Sequence, residues 1–298
     1  MADFLRRLLP KAKPAAESAD TAPLQESRPA AAAPDSPPRS EIEQLSAAIG
    51  QSVGKQRQHN EDSLLAITSA IAGKSGSVPF GLYIVADGMG GHQFGEIASN
   101  AAIRIMAGGI LRKLHPYLFG VPSQPFQESV QEILVGSVNE AHRFIQREAP
   151  GSGTTVTAAL VLGEQVSIAH VGDSRAYAMY GEGRIEPITR DHSLVKRLEE
   201  LGHLNEDEAA NFPHRNVLIR AVGQGEAIDA DVVTVPFPRP GYLLLCSDGL
   251  WGVLSDQEIY RTVSGAPTLQ RACQDLVAAA NAAGGPDNIS VIVAQLIG

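Results

Sequence analysis

Four aspartates stand beside apolar runs in this chain. Asp87 closes the run from Phe80, and Gly88-Met89-Gly90-Gly91-His92 follow it. Asp248 comes after Leu243-Leu244-Leu245-Cys246-Ser247 and precedes Gly249. Asp173 follows Ala169-His170-Val171-Gly172, and Asp287 lies in Gly284-Gly285-Pro286-Asp287-Asn288, just before Ile289. A carboxylate at the end of a buried strand is costly to desolvate unless it is paired or holds a cation. One such residue is ordinarily a turn cap. Four of them, three next to a glycine, could surround a hard cation that takes oxygen ligands. The glycines leave room for a backbone carbonyl to approach the same ion.

A fifth cluster, Arg57-Gln58-His59-Asn60-Glu61-Asp62, sets a guanidinium beside two carboxylates. Arginine suits bidentate phosphate binding, and the acids could hold water around an ion. Taken alone, the cluster reads as a solvated charge run.

These groups need elements to position them. Phe80 to Asp87, Thr154 to Leu162, Val166 to Val171, Tyr242 to Ser247 and Ile289 to Leu296 read as strands. Helical spacing runs from about Gly95 to His115, from about Phe126 to Glu148, and from Thr268 to Ala283 after Pro267. Ser255 and Glu258 have capping-box spacing for a short helix between the last two strands. Strands come as neighbouring hairpins and helices in pairs, which predicts a layered α+β domain rather than a βαβ array.

Residues 10–40 contain seven prolines and nine alanines with almost no large apolar side chain, so residues 1–40 read as a disordered tail before a single domain over 41–298. Met1 to Leu9 could form a short amphipathic docking helix, but a frayed terminus is the plainer expectation. The tail carries six basic and five acidic residues, so the chain's net charge of −9 becomes −10 over the remainder. That balance disfavours nucleic acid and anionic membranes as partners. No stretch has the ~20 apolar residues of a membrane span. The two cysteines, Cys246 and Cys273, form no CxxC pattern, and a cytoplasmic, reducing location is expected.

Arg57-x-x-Asn60-Glu61-Asp62, Asp87-Gly-Met-Gly-Gly-His92, Gly153-Thr154-Thr155, Val171-Gly-Asp-Ser-Arg175, Asp191-His-Ser193, Ser247-Asp-Gly-Leu250 and Gly285-x-Asp-Asn288 occur in this order. Over residues 45–298 the sequence resembles the metal-dependent PP2C-type (PPM) protein serine/threonine phosphatases, bacterial ones in particular. The resemblance implies a four-layer αββα sandwich, two antiparallel sheets flanked by helices, with two Mn²⁺ or Mg²⁺ ions at one end. It implies that Asp87 bridges both ions, that the Gly88 carbonyl binds one, and that Asp248 and Asp287 bind the other. Glu61 and Asp62 would hold metal-bound waters, Arg57 the substrate phosphate, and Asp173 a third, weaker ion. It also implies a mobile flap near Val195 to Asn216.

Two residues depart from the family pattern. Met89 stands where animal members carry a histidine proposed as general acid, and Gly252 where many members carry an acid that serves the third metal. The implied reaction is in-line attack of a metal-bridging hydroxide on phosphoserine or phosphothreonine in proteins. The implied setting is a monomer working against a serine/threonine kinase.

Other classes fail on spacing. A cysteine phosphatase needs an arginine six residues after its nucleophile, but Gly252 and Ala279 stand there. A dinucleotide fingerprint from Gly88 would need glycine at Gln93. His92 is expected as a loop residue, His170 as a satisfied core histidine, and His192 and His214 as residues that shape a loop or the flap. A phosphate-binding module without activity should have lost metal aspartates, and all four are here. A phosphatase for small metabolites remains the other alternative.

Overall fold

The computed structural model describes residues 43–298 except 74–75, 91–93, 121–127, 206–207, 210–211 and 213–215. The tail, His92 and His214 lie outside the described residues. In chain order the strands are β1 (Gln44–Ser52), β2 (Asp62–Gly73), β3 (Gly76–Met89), β4 (Gly153–Thr154), β5 (Val156–Leu162), β6 (Gln165–Val171), β7 (Arg175–Tyr180), β8 (Ile185–Pro187), β9 (Asp231–Pro236), β10 (Gly241–Cys246) and β11 (Ile289–Ile297). The helices are α1 (Phe94–Leu118), α2 (Val130–Glu148), α3 (Leu194–Glu200), the single turn α4 (Asp248–Trp251), α5 (Asp256–Gly265) and α6 (Leu269–Ala282).

The strands form two sheets, β1-β11-β10-β7-β8 and β2-β3-β5-β6-β9, with β4 added to β3. Every pairing is antiparallel. Side chains of a strand alternate between faces, and three apolar layers follow from that alternation. Leu82, Ile84 and Ala86 of β3 point at α1 and α2, against Met106, Ile110, Leu134 and Val138. Tyr83 and Val85 point the other way and meet Leu243, Leu245, Ile292 and Ala294 between the sheets. Leu244, Cys246, Val291 and Val293 then face α5 and α6. The result is the α+β, four-layer αββα sandwich.

The capping box expected at Ser255 and Glu258 is present and opens α5. A second one, Ser129 with Glu132, opens α2 four residues later than the sequence spacing suggested. Thr268 caps α6 through the Arg271 amide. Such caps contribute about 1 kcal/mol each. They hold the outer layers without touching the chemistry.

Candidate active site

The site lies where the inter-sheet apolar layer runs out. Along β3 the inward positions are Tyr83 and Val85, and the next in that series is Asp87. On β2 the inward Leu64 is followed two positions back by Asp62, which sits directly opposite Asp87 in the ladder. Beyond Leu245 the same parity brings Ser247 inward, and below Ile292 it brings Ser290. The end of the core is therefore a polar layer built by the same pleat. β3 continues through Asp87 to Met89, so Asp87 is held within a strand rather than at its end.

Asp62 is buried, and Ser247 Oγ donates to its Oδ2 at 2.8 Å. Its Oδ1 is buried and meets no hydrogen-bond donor. Desolvation raises the Asp62 carboxyl to about 7; the neighbouring Ser247 and Ser290 hydroxyls oppose the shift, and the charges of Asp248 and Asp287 add to it. Asp87 is pushed well above the carboxylate range, first by desolvation and then by Asp62, Asp248, Asp173 and Asp287. Asp173 rises too, first by desolvation and then by Asp248 and Asp191, with Arg175 opposing the shift. Asp62, Asp87 and Asp173 are thus buried acids whose ionisation the neighbouring aspartates oppose. Mutually repelling buried acids are a recurrent mark of a functional site.

The backbone of Asp87 is fixed from three directions. Its N–H donates to Thr155 Oγ1 at 2.9 Å, and its carbonyl accepts from Thr154 Oγ1 at 2.9 Å and from the Thr155 amide at 2.8 Å. Gly88 N donates to the Glu61 carbonyl at 3.2 Å. A Cβ on Gly88 would fall 2.2 Å from the Gly95 carbonyl oxygen and 2.6 Å from that of Glu61, so only glycine lets the start of α1 seat against this end of the sheet. Asp248 opens α4, away from β3 in sequence. The turn that carries it packs on Asp287 and Asn288: a Cβ on Gly249 would lie 2.0 Å from the Asn288 carbonyl oxygen. This contact is why Ser247-Asp-Gly and Pro286-Asp-Asn occur together.

Arg57 reaches the same place from the loop after β1. Its Nη2 donates to Asp287 Oδ2 at 2.6 Å. Arg57, Asp248 and Asp287 share the lining of an open cavity of about 450 Å³ with Arg175, Trp251, Ser193 and Lys196. The structure therefore brings together Arg57, Glu61, Asp62, Asp87, Gly88, Asp173, Asp248 and Asp287. Among the described residues no three acid, His or Cys side chains close around a point as an ion would require. Asp287 is turned toward Arg57 and would have to exchange that partner for a cation. The donor set is all oxygen, and the orphaned Asp62 Oδ1 needs a positive or hydrogen-bonding partner, so the residues suit a hard divalent ion.

The clamps that hold these groups were not assigned from the sequence. Asn288 Oδ1 accepts from the Glu61 amide at 2.8 Å, while its Nδ2 donates to the carbonyls of Val53 and His59 at 2.8 and 2.9 Å. That single buried amide ties the Arg57–Glu61 loop to the Asp287 turn. Trp251 Nε1 donates to the Asp173 carbonyl at 3.0 Å. The Arg175 guanidinium stacks 3.6 Å from the centre of the Trp251 ring and binds Asp191 through Nε and Nη2. Asn288, Arg175, Asp191 and Ser247 all lie inside the quoted motifs, so motif membership was the available signal.

His170 is buried with both ring nitrogens engaged, Nδ1 by Thr157 Oγ1 and Nε2 by the Arg190 carbonyl. Burial lowers its pKa to about 3, as befits a neutral core histidine. Both cysteines are buried, and burial pushes the Cys273 thiol to about 12 and Cys246 higher still. Neither can serve as a thiolate nucleophile. Ser193 caps α3 at the base of the expected flap. Met89 ends β3 with no ionisable group to offer, and Gly252 caps the α4 turn.

Residues 48–201 match the protein phosphatase 2C family model. The chain belongs to this family. It is 33% identical over 250 residues to the serine/threonine phosphatase stp of Listeria monocytogenes serotype 4b, covering 81% of this chain and 92% of that protein. A Streptococcus agalactiae serine/threonine phosphatase structure superposes with a TM-score of 0.68 at 30% identity, covering 84% of this chain and 99% of that one. The catalytic domain of the phosphatase PstP, solved with two manganese ions, superposes with a TM-score of 0.68 at 28% identity, covering 86% and 100%. The protein is thus a PP2C-type phosphatase, a phosphoric monoester hydrolase, and the Listeria and Streptococcus relatives it resembles are bacterial.

Proposed function

We propose that this protein hydrolyses phosphoserine and phosphothreonine in proteins with two Mn²⁺ or Mg²⁺ ions held by Asp87, the Gly88 carbonyl, Asp248 and Asp287. The observation that carries this reading is the cluster of mutually destabilised carboxylates beside the Arg57 guanidinium. Acids this crowded are an unfavourable arrangement by themselves and a favourable one around cations. Asp173, whose charge opposes that of Asp87 and is opposed by that of Asp248, is the candidate ligand of a third, weaker ion.

Bound there, a divalent pair supplies Lewis acidity toward the phosphoryl oxygens and a nucleophilic water near neutral pH. The chain's own groups do the rest. Arg57 leaves Asp287 and takes two equatorial phosphate oxygens through its forked N–H groups. Glu61 and Asp62 accept hydrogen bonds from water and orient it. Asp62 is suited to this because Ser247 fixes one of its oxygens and leaves the other available. Thr154 and Thr155 hold Asp87 in place, so little reorganisation accompanies the reaction. Met89 cannot donate the leaving-group proton, which must come from water or from the flap side.

The same reading makes phosphorylated proteins the substrates and an opposing serine/threonine kinase the partner, with a cytoplasmic monomer as the working form. Among the described residues no helix is long and apolar enough to cross a membrane. Residues 1–40 would be a tail outside the domain of 41–298. The test is direct: purified protein should turn over a phosphoserine peptide with Mn²⁺ or Mg²⁺ and stop in chelator. Full turnover after exhaustive chelation would overturn the two-metal reading.

A further inference from the structure

A second open cavity, of about 590 Å³, lies on the flank of the carboxylate site. Its floor is one stripe of α1. Ile97, Ala101 and Ile105 recur every fourth residue and so stack along a single face. Phe144 of α2 forms the opposite wall, and His59 and Glu61 close the end nearest the aspartates. Ile97 is 47% exposed, although it is a large apolar side chain in a helix whose other face is fully buried.

We propose that this groove binds the polypeptide flanking the phosphorylated residue and seats one large apolar side chain of the substrate. This rests on the assignment of the carboxylate site to phosphoserine and phosphothreonine. Continuity comes first. Glu61 lines the groove and adjoins Asp62, and its backbone is pinned by Asn288 and Gly88. A chain leaving the phosphate site over Glu61 meets the groove at that residue. Length comes second. From Ile97 to Ile105 the helix rises about 12 Å, a distance spanned by about four residues of extended peptide. The apolar anchor therefore belongs within about four positions of the phosphorylated residue.

Charge comes third. Glu61 and Glu96 stand at the near end, and Arg104 lies along the same wall. Arg104 Nε donates to Asn100 Oδ1 at 2.7 Å. Among the described residues its guanidinium meets no carboxylate, and its remaining N–H groups can take a substrate carbonyl or acid. Apolar contact supplies the affinity, and Arg104 favours an acid over a base beyond the anchor. A small aryl phosphate fills the phosphate site without reaching any of this.

The experiment uses the full chain with Mn²⁺ and a phosphoserine peptide in a Gly/Ser background. A single leucine is scanned through four positions on each side, and para-nitrophenyl phosphate is run alongside. The wild type should prefer leucine at one position by about 10-fold or more in kcat/KM, the range for filling an apolar subsite. Ile97→Asp places a carboxylate in the first turns of α1, where a helix tolerates it; Phe144→Ala removes the opposite wall. Each should abolish the leucine preference through KM and leave para-nitrophenyl phosphate turnover within about two-fold. The absence of any leucine preference in the wild type overturns the proposal, as does its survival in either variant. Failure of the underlying assignment looks different: the wild type would show no metal-dependent turnover of any phosphopeptide.

Discussion

Replacing Asp62 by asparagine should make the metal-free protein more stable at neutral pH, and the size of the gain follows from the structure. Asp62 is buried against Ser247 with one oxygen unpartnered, and its carboxyl stands at about 7 against an ordinary 3.8. An acid whose folded-state pKa is raised favours the folded protein's protonated form. Below pH 4 the carboxyl is protonated in both states and there is no penalty. Between pH 4 and 7 the unfolded chain ionises first and stability falls. Above 7 the loss is complete. At 1.36 kcal/mol per pH unit of difference, the ionised group costs about 4 kcal/mol, which is roughly 10 °C in melting temperature for a domain of this size. Asp87 and Asp173 act with the same sign. His142, His170 and His192 act against it: their pKa values are lowered by burial, so they remove stability as pH falls below about 6.5.

The informative quantity is therefore the difference between wild type and Asp62→Asn in chelator, measured by urea titration from pH 4.5 to 8.5. It should widen from about 1 kcal/mol at pH 4.5 to about 4 kcal/mol in favour of the variant at pH 8. Adding Mn²⁺ should raise the wild type most at the alkaline end, where the carboxylates repel one another most strongly. A difference that stays constant across this range would refute the claim that Asp62 is held in a desolvated, repelling cluster.

Asn288→Ala removes three hydrogen bonds that tie the Arg57 loop to the Asp287 turn; it should cost about 3 kcal/mol by denaturant titration and lower kcat/KM by at least about 10-fold through misplacement of Arg57. Asp248→Ala and Asp287→Ala should each lower turnover by several orders of magnitude while the fold survives; calorimetric Mn²⁺ titration should show weakened binding, and near-normal turnover in a folded Asp248→Ala variant would contradict the ligand set. Met89→His offers a general acid, a role worth about 10²–10⁴-fold where it is vacant; both phosphoserine peptide and aryl phosphate rates should stay flat or fall, and a gain confined to the peptide would show that no other group fills the role.

The sandwich's interior was more legible than its rims. β3, β5, β6, β10 and β11 are covered on both faces, so they read as continuous apolar runs. The strands that gave no clear signal include all four edges, β1, β2, β8 and β9. β9 has only exposed and half-exposed positions, and β1 is built of Gln, Ser, Ala and Gly around two large apolar residues. Edges are kept polar or small against unwanted pairing, and that weakens the pattern a reader relies on. β7 is the exception, an interior strand of six residues that opens on an arginine and carries two alanines between its large side chains. In the site, the acids were legible because carboxylates beside apolar runs are conspicuous. Their clamps were not, because an amide such as Asn288 or an indole such as Trp251 shows its value only through partners more than 70 residues away.

The core and the site are specified by the same alternation. The parity that turns Tyr83 and Val85 toward Leu243 and Ile292 also turns Asp87 inward opposite Asp62. A one-residue slip of β3 against β2 would bury the wrong face along the whole strand and carry Asp87 to the helix side. The apolar register of these strands therefore fixes the acids in place far more firmly than their own interactions, which are repulsive. Three apolar layers hold the repelling charges together. The cluster stays poised for cations because the fold withholds every other way for its members to separate, apart from the exposed Arg57–Asp287 pair at the mouth. That pair is an ionic contact at the mouth that loading with phosphate and metal must break, and its exposure to solvent, which keeps its strength to about 1 kcal/mol or less, lets the site be both assembled in advance and readily loaded.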